Sequence, residues 1–277
     1  MDGREQLTSI STDTSAYQRR RDEIAARAAT YTRGEAIPAV AYTDAEHAVW
    51  RLVAARLRER HSALAAPEFL DAAEQLGVGN EGIPQLQDVA DRLDGLTGFR
   101  LQPAGGVVPF HRFCGSLADD YFHSTQYIRD GATPFYSVEP DVLHEVIGHG
   151  SALADTRFAD LYRLAGQAVR RVETDTAIQF IAKVFWFTIE CGLIDAADGP
   201  RAYGASIVSS YGELDQFRSA EIRPLDIADM AGVDYDITQY QHTLYSARSM
   251  AHLEDVAGGF WESCDEASIE RLLAAEI

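Results

Sequence analysis

The sequence predicts a mainly α-helical domain, α+β in class, with only a few short strands. Three observations predict it. Apolar residues recur at helical spacing in one segment after another, several with capping residues at their starts. Runs that alternate apolar with polar are short and sparse. No internal repeat, low-complexity linker or second composition class divides the 277 residues, which are enough for one large core or at most two small ones.

Residues 1–36 are polar and charged around Arg19-Arg20-Arg21. A helix fits 24–29, but the segment has little to bury, so it reads as a partly ordered arm ahead of a catalytic domain over 37–277. Asp44 can cap a helix in which Val49, Trp50, Val53, Ala54 and Leu57 share a face. Pro67 suits the first turn of the next, with Phe69, Leu70, Ala73 and Leu76 on one side. Ile83-Pro84-Gln85-Leu86 opens a third, through Val89, Leu93 and Leu96. Short extended pieces follow at 98–103 and 105–110, then a short helix at 111–118. The runs 122–128 and 135–138 read as strands or extended loops. From Pro140 to about Val208 the pattern is mostly helical, including a helix over 176–194. Loops and short strands fill 222–239, with Asp226 as an N-cap, and 241–257 is a last amphipathic helix.

Lys plus Arg is 24 and Asp plus Glu is 43, a formal charge of −19. An acidic surface of this kind argues for solubility and against nucleic acid or anionic membrane as partners. Cys114, Cys191 and Cys264 are far apart and odd in number, which fits a reducing cytoplasm better than a disulfide framework. No apolar run approaches the ~18 residues of a membrane span. The start, Met1-Asp2-Gly3-Arg4-Glu5, lacks the apolar stretch of a signal peptide.

The chemistry gathers at three residues. His144 and His149 lie in Pro-Asp-Val-Leu-His-Glu-Val-Ile-Gly-His, and Glu190 lies in Val-Phe-Trp-Phe-Thr-Ile-Glu-Cys-Gly-Leu-Ile. Two imidazoles and a carboxylate form the facial triad of a mononuclear non-haem Fe(II) oxygenase, with positions left open for oxygen and substrate. An ionised Glu among Phe, Trp and Ile is costly unless a metal or cation pairs with it. The same residues also fit two satisfied core histidines and a Glu paired with an Arg. The histidines are five apart, ~140° of rotation on an ideal α-helix. The zinc protease pattern has them four apart, so a zinc hydrolase needs a distorted motif. The two imidazoles converge if the helix loosens or ends near Gly148 and Gly150. Without a thiolate, the set suits Fe(II), Mn(II) or Zn(II). Ser209 and Ser210 are candidate acceptors for a ligand imidazole's second N–H, or helix caps. Arg129 can take a substrate carboxylate or sit in an ordinary salt bridge. Phe113, Tyr136, Phe185, Trp186 and Phe187 can wall an aromatic pocket or simply fill core.

Taken in order, these segments resemble the pterin-dependent aromatic amino acid hydroxylases. The resemblance runs through Ile83-Pro84-Gln85-Leu86-Gln87-Asp88-Val89, Thr97-Gly98-Phe99-Arg100-Leu101, His123-Ser124-Thr125-Gln126-Tyr127-Ile128-Arg129, Glu139-Pro140-Asp141, His144-Glu145 and Gly148-His149. It continues in Phe187-Thr188-Ile189-Glu190, Ala202-Tyr203-Gly204-Ala205 and Ser209-Ser210-Tyr211-Gly212-Glu213-Leu214, covering about 42–255. It implies the family's catalytic core alone, as in bacterial members, and a monomer. It implies His144, His149 and Glu190 as iron ligands and Ser209 as the partner of His144. Arg129 and Ser137 then hold the amino acid's carboxylate, and Tyr136 and Trp186 line its pocket. Gly106, Val108, Phe110 and Phe113 take the pterin, with Glu145 beside it.

Two positions depart from the family. Cys191 stands where phenylalanine hydroxylases usually have Phe, and Ser206 where they usually have Gly. Both are expected along the aromatic pocket. One opens space and the other fills some, so the ring would meet the oxidant at a different carbon. A small meta-hydroxylating branch of the family carries small residues of this kind. The reading is therefore a cytoplasmic monooxygenase using Fe(II), tetrahydrobiopterin or another tetrahydropterin, and O2. Its expected substrate is free L-phenylalanine and its expected product meta-tyrosine. Para-tyrosine is the alternative, and a tryptophan hydroxylase, a zinc hydrolase and a non-catalytic binding protein stand behind it.

Overall fold

A computed structural model describes residues 14–137 and 139–274; residues 1–13, Val138 and 275–277, parts of the expected arm, the 135–138 run and the C-terminus, lie outside them. The helices α1 (Thr14–Ala28), α2 (Asp44–Leu64), α3 (Pro67–Leu76) and α4 (Leu86–Thr97) come first. Then β1 (Arg100–Ala104), α5 (Phe110–Leu117) and β2 (Tyr121–Thr125) lead to a long irregular stretch. A π-helical turn, His144–Gly150, runs into α6 (Ser151–Leu153), α7 (Thr156–Val169) and α8 (Asp175–Phe185). A second π-helical turn, Trp186–Glu190, extends α8. Then follow β3 (Leu193–Ile194), β4 (Arg201–Ala202), α9 (Ala205–Ser209), α10 (Tyr211–Gln216), β5 (Glu221–Pro224), α11 (Ile227–Ala231) and β6 (Thr243–Ala247). The chain closes with α12 (Met250–Leu253), a third π-helical turn, α13 (Gly259–Ser263) and α14 (Glu266–Ala274).

The expected mainly helical fold is what forms. Val49, Trp50, Val53, Ala54 and Leu57 are the buried face of α2, and Phe69, Ala72 and Leu76 that of α3. The α2 cap is Thr43 rather than Asp44. Its hydroxyl accepts from the Glu46 N–H while the Glu46 side chain accepts from the Thr43 N–H. The segment expected to bury little instead carries α1. Ile24 packs against Val40 and Tyr127, Arg20 pairs with Glu46 at 2.9 Å, and Arg21 pairs with Glu139 and lies over the Tyr127 ring.

Strands are few. β1 and β2 pair in parallel, and the second sheet has the order β4-β3-β6-β5. Three expectations fail here. The amphipathic helix over 241–257 is strand in its first half: β6 is buried at Leu244, Tyr245, Ser246 and Ala247 and pairs on both sides. A strand buried on both faces has no alternation to betray it. The helix over 176–194 stops at Cys191, because Leu193 and Ile194 join β6 instead. The 105–110 run is loop, and α5 begins at Phe110 rather than at 111. Around these elements one core holds Trp50, Phe69, Phe99, Phe122, Tyr162, Phe187 and Trp261.

Candidate metal centre and its cavity

The fifth-residue spacing of His144 and His149 is met by the π-helical turn. Hydrogen bonds from residue i to i+5 widen the turn by one residue, so side chains five apart come back to one face. The helix does not end at Gly148 and Gly150, as the glycines suggest, but continues as α6. Gly148 has another use. A Cβ there would lie 2.8 Å from the Ala205 carbonyl oxygen, so only Gly lets α9 pack this close to the histidines. Glu190 ends the second π-helical turn, where the Cys191 N–H bonds the Trp186 carbonyl at 2.9 Å. Gly204 is equally constrained: a Cβ would sit 2.4 Å from the Glu190 carbonyl oxygen. That approach brings Ser206 to the Glu190 carboxylate.

The three side chains converge. His149 Nε2 lies 3.2 Å from Glu190 Oε1, and His144 Nε2 lies 3.9 Å from Glu190 Oε2. One donor atom from each falls within 4.8 Å of the others. The outer nitrogens are occupied. Ser209 donates its hydroxyl to the Ala205 carbonyl at 2.7 Å, so its oxygen is left to accept from His144 Nδ1 at 2.8 Å. That fixes Nδ1 as protonated and turns the Nε2 lone pair inward. His149 Nδ1 meets the Tyr162 hydroxyl at 2.7 Å. Ser206 donates to Glu190 Oε2 at 2.7 Å. Burial, with the neighbouring His149, pushes His144 down to about 4, so it is neutral and able to ligate at neutral pH. Burial alone would raise Glu190, but His149, His144 and the Ser206 hydroxyl outweigh it and hold the carboxyl at about 2. An inward His144 lone pair, the His149 imidazole and an ionised carboxylate, with no thiolate, fit a borderline divalent cation such as iron. Burial alone would lower His149, but the Glu190 charge outweighs it and raises it, so a cation binding there would displace a proton.

A cavity of about 200 Å³ opens on one side of this cluster. His144, Glu190, Arg129, Tyr136, Ser137, Trp186, Ser206, Ser209 and Glu213 are among its walls. Arg129 is buried and clamped: Asp141 accepts from its Nε at 2.9 Å, its Nη2 at 2.7 Å and its backbone N–H at 2.8 Å. The salt bridge open to it in the sequence is a buried one, and among the described residues Nη1 carries no bond. Ser137 donates to the Glu139 carbonyl at 2.5 Å, Tyr136 is 53% exposed at the mouth, and Trp186 stacks on Tyr235. Cys191 is fully buried and is not among the walls. Burial raises its thiol well above the usual value. Of the two departures only Ser206 reaches the cavity.

On the other side of His149 lies an aromatic cluster. Phe113 meets Phe122 at 5.3 Å, Phe185 at 6.0 Å and His123 at 6.3 Å, ring to ring, and Phe110 meets Phe185 at 5.6 Å. Phe122 lies 4.8 Å from the His149 ring. Glu145 is buried beneath, accepting from the Thr125 N–H at 3.2 Å. Burial raises its carboxyl to about 7. Gly106 and Val108 stand in the loop entering α5. Among the described residues the buried His123 Nε2 has no partner, so this side has an orphaned polar atom beside a half-buried ring. A flat polar heterocycle suits both.

Residues 9–266 match the family model described as biopterin-dependent aromatic amino acid hydroxylase. The chain belongs to this family. The hydroxylase is 52% identical over 94% of its length to the phenylalanine 3-hydroxylase of Streptomyces coeruleorubidus, of which it covers 93%. It is 37% identical over 89% of its length to the phenylalanine-4-hydroxylase of Dictyostelium discoideum, of which it covers only 57%. Among solved structures, the phenylalanine hydroxylase of Chromobacterium violaceum with bound iron(III) and 7,8-dihydrobiopterin superposes with a TM-score of 0.77. That match has 28% identity over 85% of this chain and 84% of that one.

Sequence reasoning missed Tyr162, His123 and Glu213. Tyr162 sits on the buried face of α7, where a phenol reads as core. Its hydroxyl orients His149 as Ser209 orients His144. Tyr162→Phe is expected to weaken Fe(II) or Co(II) binding about 10- to 100-fold while leaving the fold unchanged. A metal titration giving the wild-type affinity would remove this role.

Proposed function

We infer that this hydroxylase is a phenylalanine 3-hydroxylase, a monooxygenase converting free L-phenylalanine to meta-tyrosine. The observation that carries it is the 52% identity, over nearly the whole of both chains, with the Streptomyces phenylalanine 3-hydroxylase. Ser206 on the cavity wall, bonded to Glu190, supports it. Iron and a tetrahydropterin supply the activation of O2 and the ring oxidation when bound.

The chain's own residues do the positioning. His144, His149 and Glu190 would hold the iron, with Ser209 and Tyr162 keeping both imidazoles in the ligating tautomer. Phe113 would take the pterin ring, with Gly106, Val108 and Phe110 in the loop beside it. Glu145, its carboxyl near 7, can donate or accept a hydrogen bond at neutral pH. Arg129, held rigid by Asp141, presents Nη1 to the substrate carboxylate, with Ser137 beside it. Trp186 and Tyr136 exclude water from the ring. Ser206 narrows the cavity next to the metal site and fixes one oxygen of Glu190. A ring shifted by about 1 Å there presents a different carbon.

The buried, unpaired cysteines are consistent with a reducing cytoplasm. Among the described residues no helix is long and apolar enough to cross a membrane. We propose a cytoplasmic monomer, which sedimentation would test. Incubation with L-phenylalanine, Fe(II), tetrahydrobiopterin and O2 is expected to give mainly meta-tyrosine, and para-tyrosine alone would overturn the reading. Ser206→Gly is expected to raise the para share more than Cys191→Phe, since only Ser206 lines the cavity. An isomer ratio indifferent to Ser206 would count against its part in the pocket.

A further inference from the structure

Glu213 is a carboxylate the sequence reading gave no role. It lies on α10, it is 8% exposed, and it is a wall of the same cavity as Arg129 and Glu190. What touches its carboxylate is a backbone N–H from Gln241, and the like charge of Glu190 acts on it as well. Among the described residues no cation pairs with it. A buried acid without a cation is costly, and is kept ionised only when a positive group arrives. The carboxylates around this cavity have positive partners: Asp141 has Arg129, Glu139 has Arg21, and Glu190 has two imidazoles or the metal they would share.

We propose that Glu213 is the counter-ion for the α-ammonium of the amino acid substrate, so that the cavity reads both ends of the zwitterion. Arg129 takes the carboxylate and Glu213 takes the ammonium. This rests on the phenylalanine reading above and adds the group that separates an α-amino acid from a plain arylalkanoate. The raised carboxyl, about 7 through burial and the Glu190 charge, accords with a place for a cation. The Gln241 N–H ties the acid to the loop carrying Gln239 and Tyr240, which also line the cavity.

The test compares two ligands on the iron-loaded protein by calorimetry, without pterin: L-phenylalanine and 3-phenylpropanoate, which lacks the amine. Wild type is expected to prefer phenylalanine. Glu213→Gln keeps an oxygen for the Gln241 N–H and loses the charge. It is expected to weaken phenylalanine about 10- to 100-fold and 3-phenylpropanoate less than about 3-fold. Glu213→Asp is expected to retain most of the preference. In turnover, KM for phenylalanine rises while kcat changes little. Equal losses for both ligands, no loss for either, or no preference in wild type would overturn the proposal. Protein that neither binds nor hydroxylates phenylalanine in the wild-type form would instead sink the functional reading beneath it.

Discussion

Glu190→Gln is expected to leave the fold standing and the metal site unable to hold iron. The carboxylate is one of three donors, and the only one with a charge to set against a divalent ion. Gln keeps the shape and can still accept the Ser206 hydroxyl that Glu190 Oε2 accepts at 2.7 Å. It is neutral, so two imidazoles alone face the cation. In the metal-free protein the imidazoles and the Ser206 hydroxyl already outweigh the burial of the Glu190 charge, so the variant loses that net stabilisation. Its metal-free form is therefore expected to unfold somewhat below the wild-type midpoint while remaining folded. With free metal at 100 times Kd, wild type gains about 2.7 kcal/mol of stability and the variant gains none. Product formation is expected to fall at least ~1,000-fold, or ~4 kcal/mol of barrier. Thermal unfolding with and without Co(II), and iron content after gel filtration, check both halves. A variant that still gains stability from metal would show that the donors lie elsewhere.

Much of that site is legible in the sequence, because its candidate ligands sit at unusual places in an otherwise apolar pattern. His144, His149, Glu190 and the Ser209 acceptor all come together as read. The five-residue histidine spacing was itself the trace of the π-helical turn, since an inserted residue is what distinguishes that turn from an α-helix. Tyr162 and Glu213 were not legible. Each lies on a helix where its spacing is that of core, and only the fold shows that the phenol points to His149 and the acid to the cavity. Cys191 is next to Glu190 in sequence but is not among the cavity walls, since adjacency says nothing about which side of the turn a side chain leaves by. The helices α2 to α4 followed their apolar faces, except that Leu96, expected on the α4 face, is exposed. β6 did not, because four successive buried residues, Leu244 to Ala247, carry no period to read.

Asp141→Ala is expected to destabilise the protein by about 3–5 kcal/mol and to stop phenylalanine binding together. Asp141 is fully buried and accepts from three Arg129 donors, and from the His144 N–H at 3.2 Å. It thus clamps the substrate's Arg and caps the turn that carries the first histidine. Burial alone would raise its carboxyl. The Arg129 charge, its hydrogen bonds and the His144 N–H outweigh that and hold it below the usual carboxylate range. A depressed folded-state pKa gives stability that is present above the unfolded value of ~3.9 and is lost as pH falls through the folded value. The stability gap between wild type and Asp141→Asn is therefore expected to be flat from about pH 5 to 8, and to close below about pH 4. Removing one partner leaves the Arg129 guanidinium, 5% exposed, charged and unpaired. Removing both is milder, because apolar residues of similar volume replace a buried pair at little net loss. Arg129→Met combined with Asp141→Leu should thus regain most of the stability lost in Asp141→Ala and none of the phenylalanine binding. Urea unfolding separates the three proteins, and calorimetry with phenylalanine reads the second property. If the double variant were as unstable as Asp141→Ala, the loss would come from the missing helix cap and not from a stranded charge.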